Sequence, residues 1–302
     1  MRRSSAALSV LALSALALTG CSGAPGFDGA ACERTSTEGL ADAVTASGEL
    51  GDPEAELVTP VGTDEFAYAD LIVGDGRATT SPTQGMILTF ALYDGTTGSE
   101  LGSGTRLWDM DSLEQQIPGM QQMIPCVTEG SRVVASLPAK ELPEGMAEQI
   151  GLSQDDSIVG VFDVIHTLLA KAEGRHLFHD AHGLPTVVRA ADGRPGVIIP
   201  DASAPTKPVV QTLIEGDGDK VGEDAPLFRH TAVDWADRSV TSSSWGTTLG
   251  TDPSVLPQEV ADAVTDATIG SQLLVVVPGE AKGDAAVYVV DVLGVIPPDL
   301  AG

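Results

Sequence analysis

Apolar and polar positions along this chain form a pattern that occurs twice. Ile269 to Val295 reads as two apolar strands joined by a short polar loop. A weaker copy spans Glu129 to Thr167: EGSRVVASLP, a longer spacer, then DDSIVGVFDVIHT. Gly130-Ser131 recurs as Gly270-Ser271 and Pro138 as Pro278, each 140 residues later. Upstream, Leu71-Ile72-Val73-Gly74-Asp75-Gly76 recurs as Leu213-Ile214-Glu215-Gly216-Asp217-Gly218, 142 residues later. Two matches at nearly one spacing describe a tandem repeat of one domain. Each unit opens at the GDG turn and closes on the strand pair, and the period is far too long for a solenoid.

The elements follow from period and punctuation. Leu71 to Gly76 predicts a strand ending in a turn, since Asp-Gly tolerates positive φ. Met86 to Tyr93 is rich in β-branched and aromatic residues and predicts a strand, as do Val133 to Leu137 and Ile158 to Leu168. A short helix is expected around Gly119 to Met123. Ahead of the first unit, Thr37 to Ala46 predicts a weak helix capped by Ser36, and Val58 and Phe66 to Ile72 predict edge strands. Ala170 to Pro208 is punctuated by Gly and Pro, with short strands at Thr186 to Ala190 and Gly196 to Pro200. The second unit offers strands at Val209 to Glu215, Leu227 to Trp235, Leu273 to Val277 and Ala286 to Leu293. A helix is expected at Leu256 to Ala267, with Val260, Ala263 and Val264 at helical spacing and Pro257 near its start. Both units then read β-β-α-β-β, an α+β class with one short helix over one face of an antiparallel sheet.

The N-terminus changes the setting. Arg2 and Arg3 precede a short apolar run, Ala6 to Leu18, that ends Leu18-Thr19-Gly20-Cys21. This order matches a bacterial lipoprotein leader, with Cys21 lipidated and left as the mature N-terminus. An ordinary signal peptide with a chance Cys is the alternative. The expected location is the extracytoplasmic face of the membrane, held by lipid. Cys32 and Cys126 then lie where disulfides persist, and a bridge tying the N-terminal segment to the first unit is expected, against two separate buried thiols. The expected organisation is a leader at 1–21, a tether and N-terminal segment at 22–60, domains at 61–170 and 209–302, and a linker at 171–208.

Length and composition agree with two domains: 302 residues, 42% of them hydrophobic, is enough for real cores. The formal charge of -27 makes nucleic acid a very poor partner, because nothing would neutralise phosphates. Direct adhesion to anionic lipid is disfavoured for the same reason. Aromatics are only 4%, so an aromatic-lined pocket starts at a disadvantage.

Nucleophile chemistry finds no support: no G-x-S-x-G elbow, no Cys free for catalysis, and five His without a triad arrangement. His176, His179 and His182 with Asp180 have a spacing that fits zinc, but a Gly-rich segment fixes ligands poorly and a solvated linker is the simpler reading. Gly216 to Gly222 is not a calcium loop, since Val221 and Phe228 stand where oxygen ligands belong. No metal and no cofactor are expected.

The order of motifs resembles the FKBP-type peptidyl-prolyl isomerase family. In the second unit the resemblance rests on Leu213 to Gly218, His230-Thr231-Ala232, Val240 to Trp245, Leu256-Pro257-Gln258-Glu259-Val260, Ile269-Gly270 and Tyr288 to Leu293. A more distant version covers about 66–168, with Ile117-Pro118-Gly119-Met120 at the helix start. The resemblance implies two FKBP-like domains and a chemistry without a nucleophile: an apolar pocket that favours the twisted amide on the way over the X-Pro barrier of about 18–20 kcal/mol. It implies a proline pocket in the second unit lined by Tyr288, Val260, Leu256, Trp245, His230, Val240 and Thr241. Several positions depart from the family pattern. Val260 (Met120 in the first unit) replaces the floor Trp, Val240-Thr241 replaces Phe-Asp, and His230 replaces Tyr. The loop from Pro278 to Tyr288 is short, and Gly160 stands at the Tyr288 position in the first unit. Trp245 either refills the pocket or packs as a surface aromatic. The implied function is prolyl isomerisation of proline-containing exported polypeptides by a lipid-anchored folding factor. The alternative is a non-catalytic FKBP-like binding or chaperone module of the cell envelope.

Overall fold

A computed structural model describes residues 26–178, 182–247, 249–281 and 283–297. The N-terminal part holds two small hairpins, β1 (Gly26–Phe27) with β2 (Ala30–Ala31) and β3 (Val44–Ser47) with β4 (Glu54–Leu57). Unit one follows with β5 (Ala67–Ile72), β6 (Met86–Asp94), β7 (Glu100–Trp108), α1 (Met110–Gln116), α2 (Met120–Met123), β8 (Arg132–Pro138), α3 (Met146–Gln149) and β9 (Ser157–Thr167). A short β10 (Arg175–His176) and a third hairpin, β11 (Thr186–Arg189) with β12 (Pro195–Ile198), lead into unit two. That unit comprises β13 (Val209–Glu215), β14 (Ala225–Asp234), β15 (Val240–Ser243), α4 (Gln258–Asp266), β16 (Gln272–Pro278) and β17 (Ala285–Ile296).

The two large sheets share one topology. Sheet one runs β5-β8-β9-β6-β7 and sheet two runs β10-β13-β16-β17-β14-β15. Counted within each unit, both place their strands first, fourth, fifth, second, third, all antiparallel. The last strand of each unit is therefore central. Both faces of each sheet are covered. Under α1–α3, sheet one packs Leu88, Val133, Leu137 and Phe162 against Leu113, Met120 and Met123. Its opposite face packs Ala69, Val134 and Val161 against Val44 and Leu57 of the β3–β4 hairpin. In unit two, Val260 and Val264 of α4 cover Leu273, Val275, Val290 and Val292, while Val187 and Val197 of the β11–β12 hairpin cover Leu274, Val276, Val287 and Val289. Burial on both sides explains why the closing strands read as nearly unbroken apolar runs.

The two hairpins lie in the segments read from sequence as tether and linker. They occupy equivalent places, and β3 begins at 44 and β11 at 186, the same 142-residue spacing as the GDG motif. The structural repeat is therefore longer than the sequence motif.

The α+β class with one helix per unit does not hold. The chain is mostly β, with three further two-stranded sheets beside the two large ones. Its α-helices span four to nine residues, three in unit one and one in unit two. Pro118-Gly119 and Pro125 bound the first two helices of unit one and Pro143 precedes the third, which limits each to a turn or two. Nor does the helix expected at 37–46 form. One tight turn at Ala41–Ala43 gives way to β3, because β-branched Val44 is buried against the sheet.

The GDG segments differ from expectation in an instructive way. None of Gly74, Gly76, Gly216 and Gly218 has positive φ; the left-handed residues are their partners Gly130 (φ 88) and Gly270 (φ 97). A Cβ on Gly74 would lie 2.1 Å from the Glu129 carbonyl oxygen, and one on Gly216 lies 2.2 Å from that of Ile269. The glycines are there because two backbones touch. The join is the same in both units. The Gly74 and Gly216 amides donate to Ser131 and Ser271 Oγ at 3.0 and 3.1 Å, and Thr128 and Thr268 Oγ1 donate back to the glycine carbonyls at 2.7 and 3.0 Å.

Between the units lies a leucine seam: Leu168 and Leu169 against Leu227, Leu249 and Leu293, with Leu107 alongside. Arg229 crosses it. Its guanidinium, on a side chain 1% exposed, donates to the carbonyls of Ser244 and Thr247 in unit two and of Thr83 in unit one, the last at 2.8 Å. Burial holds its pKa below the ordinary arginine value.

Candidate functional site

The residues implicated by sequence are only partly brought together. On the α4 side of sheet two, Val260 and the partly buried Leu256 and Tyr288 join one apolar cluster with Val275 and Val290. Tyr288 pairs across strands with Val275 and Ala232, and His230 pairs with Val290 on the same face. The His230 ring lies 6.4 Å from that of Phe228, and its Nε2 is 3.1 Å from Ser242 Oγ. Burial pushes the His230 pKa down and the Tyr288 pKa up, so both side chains are neutral near pH 7. This face holds four of the seven residues: Leu256, Val260, His230 and Tyr288.

The other three stand elsewhere. Val240 is 63% exposed and Thr241 is also exposed, both on the outer strand β15. The Trp245 ring packs over the Arg229 guanidinium at 5.7 Å, a cation–π contact at the seam. Trp245 therefore packs against Arg229 at the seam.

Unit one shows what became of the equivalent site. Gly160 pairs with Ala135 and Leu92 as Tyr288 pairs with Val275 and Ala232, so the two positions correspond. The Phe162 ring occupies the space over Gly160, where an added Cβ would meet it at 2.5 Å. With Phe66, Leu92, Ile117 and Met120 it leaves an apolar cavity of about 10 Å³. That is at the lower limit for a single water and far too small for a prolyl ring.

On the opposite face, each unit buries one carboxylate at matching positions of its closing strand. In unit one Arg132 grips Asp163 through two bonds, Nε–Oδ1 2.6 Å and Nη2–Oδ2 2.8 Å. In unit two the position facing the Asp is Gln272, whose Nε2 donates to Asp291 Oδ1 at 2.6 Å, while the Ala172 amide donates to Oδ2 at 3.0 Å. The positive charge comes instead from Arg189 on the covering hairpin, which donates to Gln272 Oε1 at 2.7 Å. Sequence reasoning passed over Arg132, Asp163, Gln272 and Asp291. The signal was present: a charged or amide residue inside an otherwise apolar strand, at positions facing each other across β8–β9 and β16–β17.

Desolvation raises the Asp291 pKa from 3.8 to about 6, against the pull of its hydrogen bonds and of Arg189 and Arg229. The folded value exceeds the unfolded one, so the folded state favours the protonated form. The resulting stabilisation is complete below about pH 4 and is lost as pH rises through about 6. The loss is on the order of 3 kcal/mol. Urea unfolding of wild type and Asp291→Asn across pH 4–7 should show this declining component only in the wild type; parallel curves would rule it out.

Cys32 and Cys126 are bonded, with Cα atoms 5.7 Å apart. Cys21, its leader, His179 and Asp180 lie outside the described residues. Among the described residues no group of three or more His, Cys, Asp or Glu side chains is placed to hold a metal ion, and no helix is long and apolar enough to cross a membrane.

No family model and no curated protein matches the chain. Solved structures do. The three FKBP domains of wheat FKBP73 align over 76% of this chain and 94% of that one, at 12% identity and a TM-score of 0.32. The N-terminal domain of FKBP42 from Arabidopsis thaliana aligns over 41% of this chain and 98% of that one, at 12% identity and TM-score 0.30. A multi-domain immunophilin from Arabidopsis thaliana aligns over 39% of this chain, at 10% identity and TM-score 0.30, and the chain spans 46% of it. Similarity at these TM-scores carries no weight in assigning a function.

Proposed function

We propose that this chain is an FKBP-like binding module of the cell envelope. It is anchored through a lipid on Cys21 and holds proline-containing segments of exported polypeptides on the α4 face of unit two. The observation that carries the non-catalytic form is the filled site of unit one: a cavity of about 10 Å³ at the positions that correspond to the Tyr288 face of unit two. An isomerase needs a water-free recess that takes the prolyl ring and stabilises the twisted amide more than the planar one. A polypeptide holdase needs only an apolar, partly exposed surface, which Tyr288, Leu256 and Ala263 supply beside α4.

One observation favours the catalytic reading as a second possibility. Leu256, Val260, His230 and the half-buried Tyr288 do converge on one face, and the neutral His230 ring offers a polar group there.

The two separate in one set of measurements. A labelled, permanently unfolded, proline-containing polypeptide should bind the mature protein, and Tyr288→Ala should weaken binding about tenfold, as loss of one aromatic contact costs about 1–1.5 kcal/mol. In a proline-limited refolding assay neither protein should speed the slow phase. Acceleration by wild type, lost in Tyr288→Ala, would replace the module reading with the isomerase. Equal binding by both proteins would remove the α4 face from either. Cys21→Ala should leave these results unchanged while releasing the protein from the membrane fraction.

A further inference from the structure

The two large sheets have four outer edges, and three are short or partly covered. Beside β5, the Thr37 amide donates to the Tyr68 carbonyl at 2.7 Å and Ser36 Oγ accepts from the Asp70 amide at 3.0 Å. β10 pairs with Ile214 and Glu215 at the end of β13, and the Leu177 amide donates to the Leu213 carbonyl beside them. The strand β15 is only four residues long, and the chain after it turns in to give Ser244 and Thr247 to Arg229. The longest edge strand, β7, has nine residues from Glu100 to Trp108 and is paired with β6 on one side only. Among the described residues, no hydrogen bond is made to the outward amides and carbonyls of this strand.

A free edge of this length is a template for another strand. Proteins usually guard such an edge with charge, proline or a covering loop. Here Glu100 and Arg106 stand near its ends, but the centre, Gly102-Ser103-Gly104-Thr105, carries no charge and only small side chains. An incoming backbone can approach without steric obstruction. Beside the strand, on the side of the β3–β4 turn, runs a groove of about 370 Å³. Ser103, Thr105 and Thr89 form its floor, and Asp52, Glu54 and Glu100 stand exposed along it. Alternate side chains of a strand added to β7 would project over this groove. Its three carboxylates select cations there, and the net charge of -27 draws in a basic partner from a distance.

We infer that unit one binds an extended basic polypeptide segment by strand addition to β7, with Lys or Arg at alternate positions over the Asp52–Glu54–Glu100 groove. Main-chain hydrogen bonds supply affinity and the groove supplies selection, the division of labour seen in β-augmentation. The site is separate from the α4 face of unit two and does not rest on the function proposed for it.

The probe is a fluorescent ten-residue peptide alternating Lys with Thr, read by anisotropy at 150 mM salt and by hydrogen exchange of the full mature chain. Binding should slow exchange of amides within 100–108. Glu54→Lys/Glu100→Lys should weaken binding at least tenfold with the thermal midpoint unchanged. Glu259→Lys/Asp262→Lys changes net charge equally on α4 and should weaken it less than threefold. A probe with Pro at alternate positions, unable to donate from those residues, should lose at least tenfold. Equal losses in the two charge variants would reduce the effect to general electrostatics and overturn the proposal. So would binding without protection of β7, full binding by the Pro-containing probe, or no binding at all.

Discussion

Arg132→Ala is expected to be among the most damaging single substitutions in the chain, at about 3–5 kcal/mol. Arg132 and Asp163 have side chains 4% and 0% exposed. Besides its two bonds to Asp163, the guanidinium donates to the carbonyls of Ser47, Gly48 and Glu49 at 2.7, 3.2 and 2.9 Å. Asp163 Oδ2 in turn accepts from the Gly51 amide at 2.8 Å. The pair therefore ties the centre of sheet one to the turn of its covering hairpin. Removing the arginine leaves a buried carboxylate without a counter-charge and three carbonyls without a donor. Substitution of both partners by apolar residues, Arg132→Met with Asp163→Leu, should cost less than either truncation alone, because no charge is left stranded. Urea midpoints for the two single variants and the double variant give the answer. A double variant as unstable as the sum of the singles would mean that the pair stabilises through packing and not through charge.

Loss of the Cys32–Cys126 bridge is the second large effect expected. The bridge closes 94 residues of sequence separation, for which loop-closure entropy alone comes to about 4–5 kcal/mol. Two features should reduce the observed loss. Arg34, two residues from Cys32, donates to the carbonyls of Met123 and Pro125 and to Asp70, holding the same segments together without the bond. Cys126 itself sits at φ 63, a left-handed conformation that costs a residue with a Cβ about 1–2 kcal/mol. Cys126→Gly should therefore be more stable than Cys126→Ser by roughly 1 kcal/mol, both lying about 3–5 kcal/mol below the oxidised wild type. Thermal or urea unfolding of the three proteins tests the order. Equal stability of Gly and Ser would show that the backbone at 126 relaxes once the bond is gone.

Much of the fold was legible because both faces of each sheet are buried. Runs such as Leu273 to Val277 and Met86 to Tyr93 can be little else than central strands. The helix α4 was legible from Val260 and Val264 at helical spacing. The outer strand β7 was not, since Leu-Gly-Ser-Gly-Thr-Arg has no alternation: one side packs lightly and the other faces water. The covering hairpins were hard to read for the same reason, as β4 is Glu-Ala-Glu-Leu and only half-buries Ala55 and Leu57. The α+β expectation failed because Pro118-Gly119 and Pro125 confine the helical region ahead of β8 to two short helices, and a third, equally short, follows β8. At the candidate site, residue type indicated Tyr288, Val260, Leu256 and His230, which strand pairing and α4 bring to one face. Val240, Thr241 and Trp245 belong to an outer strand and its exit, whose direction is decided by the Arg229 contact. No local pattern encodes that contact.

The order of strands has a consequence for timing. In sheet two the last strand of the unit, β17, lies between β16 and β14, and its Leu293 belongs to the seam between the units. A chain released N-terminus first, from a ribosome or through a membrane pore, presents β14 long before the strand that joins it to β13 and β16. Unit one can complete its sheet once residue 167 has emerged, whereas unit two must wait until residue 296 has emerged. Until then β14 and the α4 segment hold apolar surface that only β17 can cover. Truncation near residue 285 would therefore leave two fragments of a sheet without a centre, not a shortened sheet.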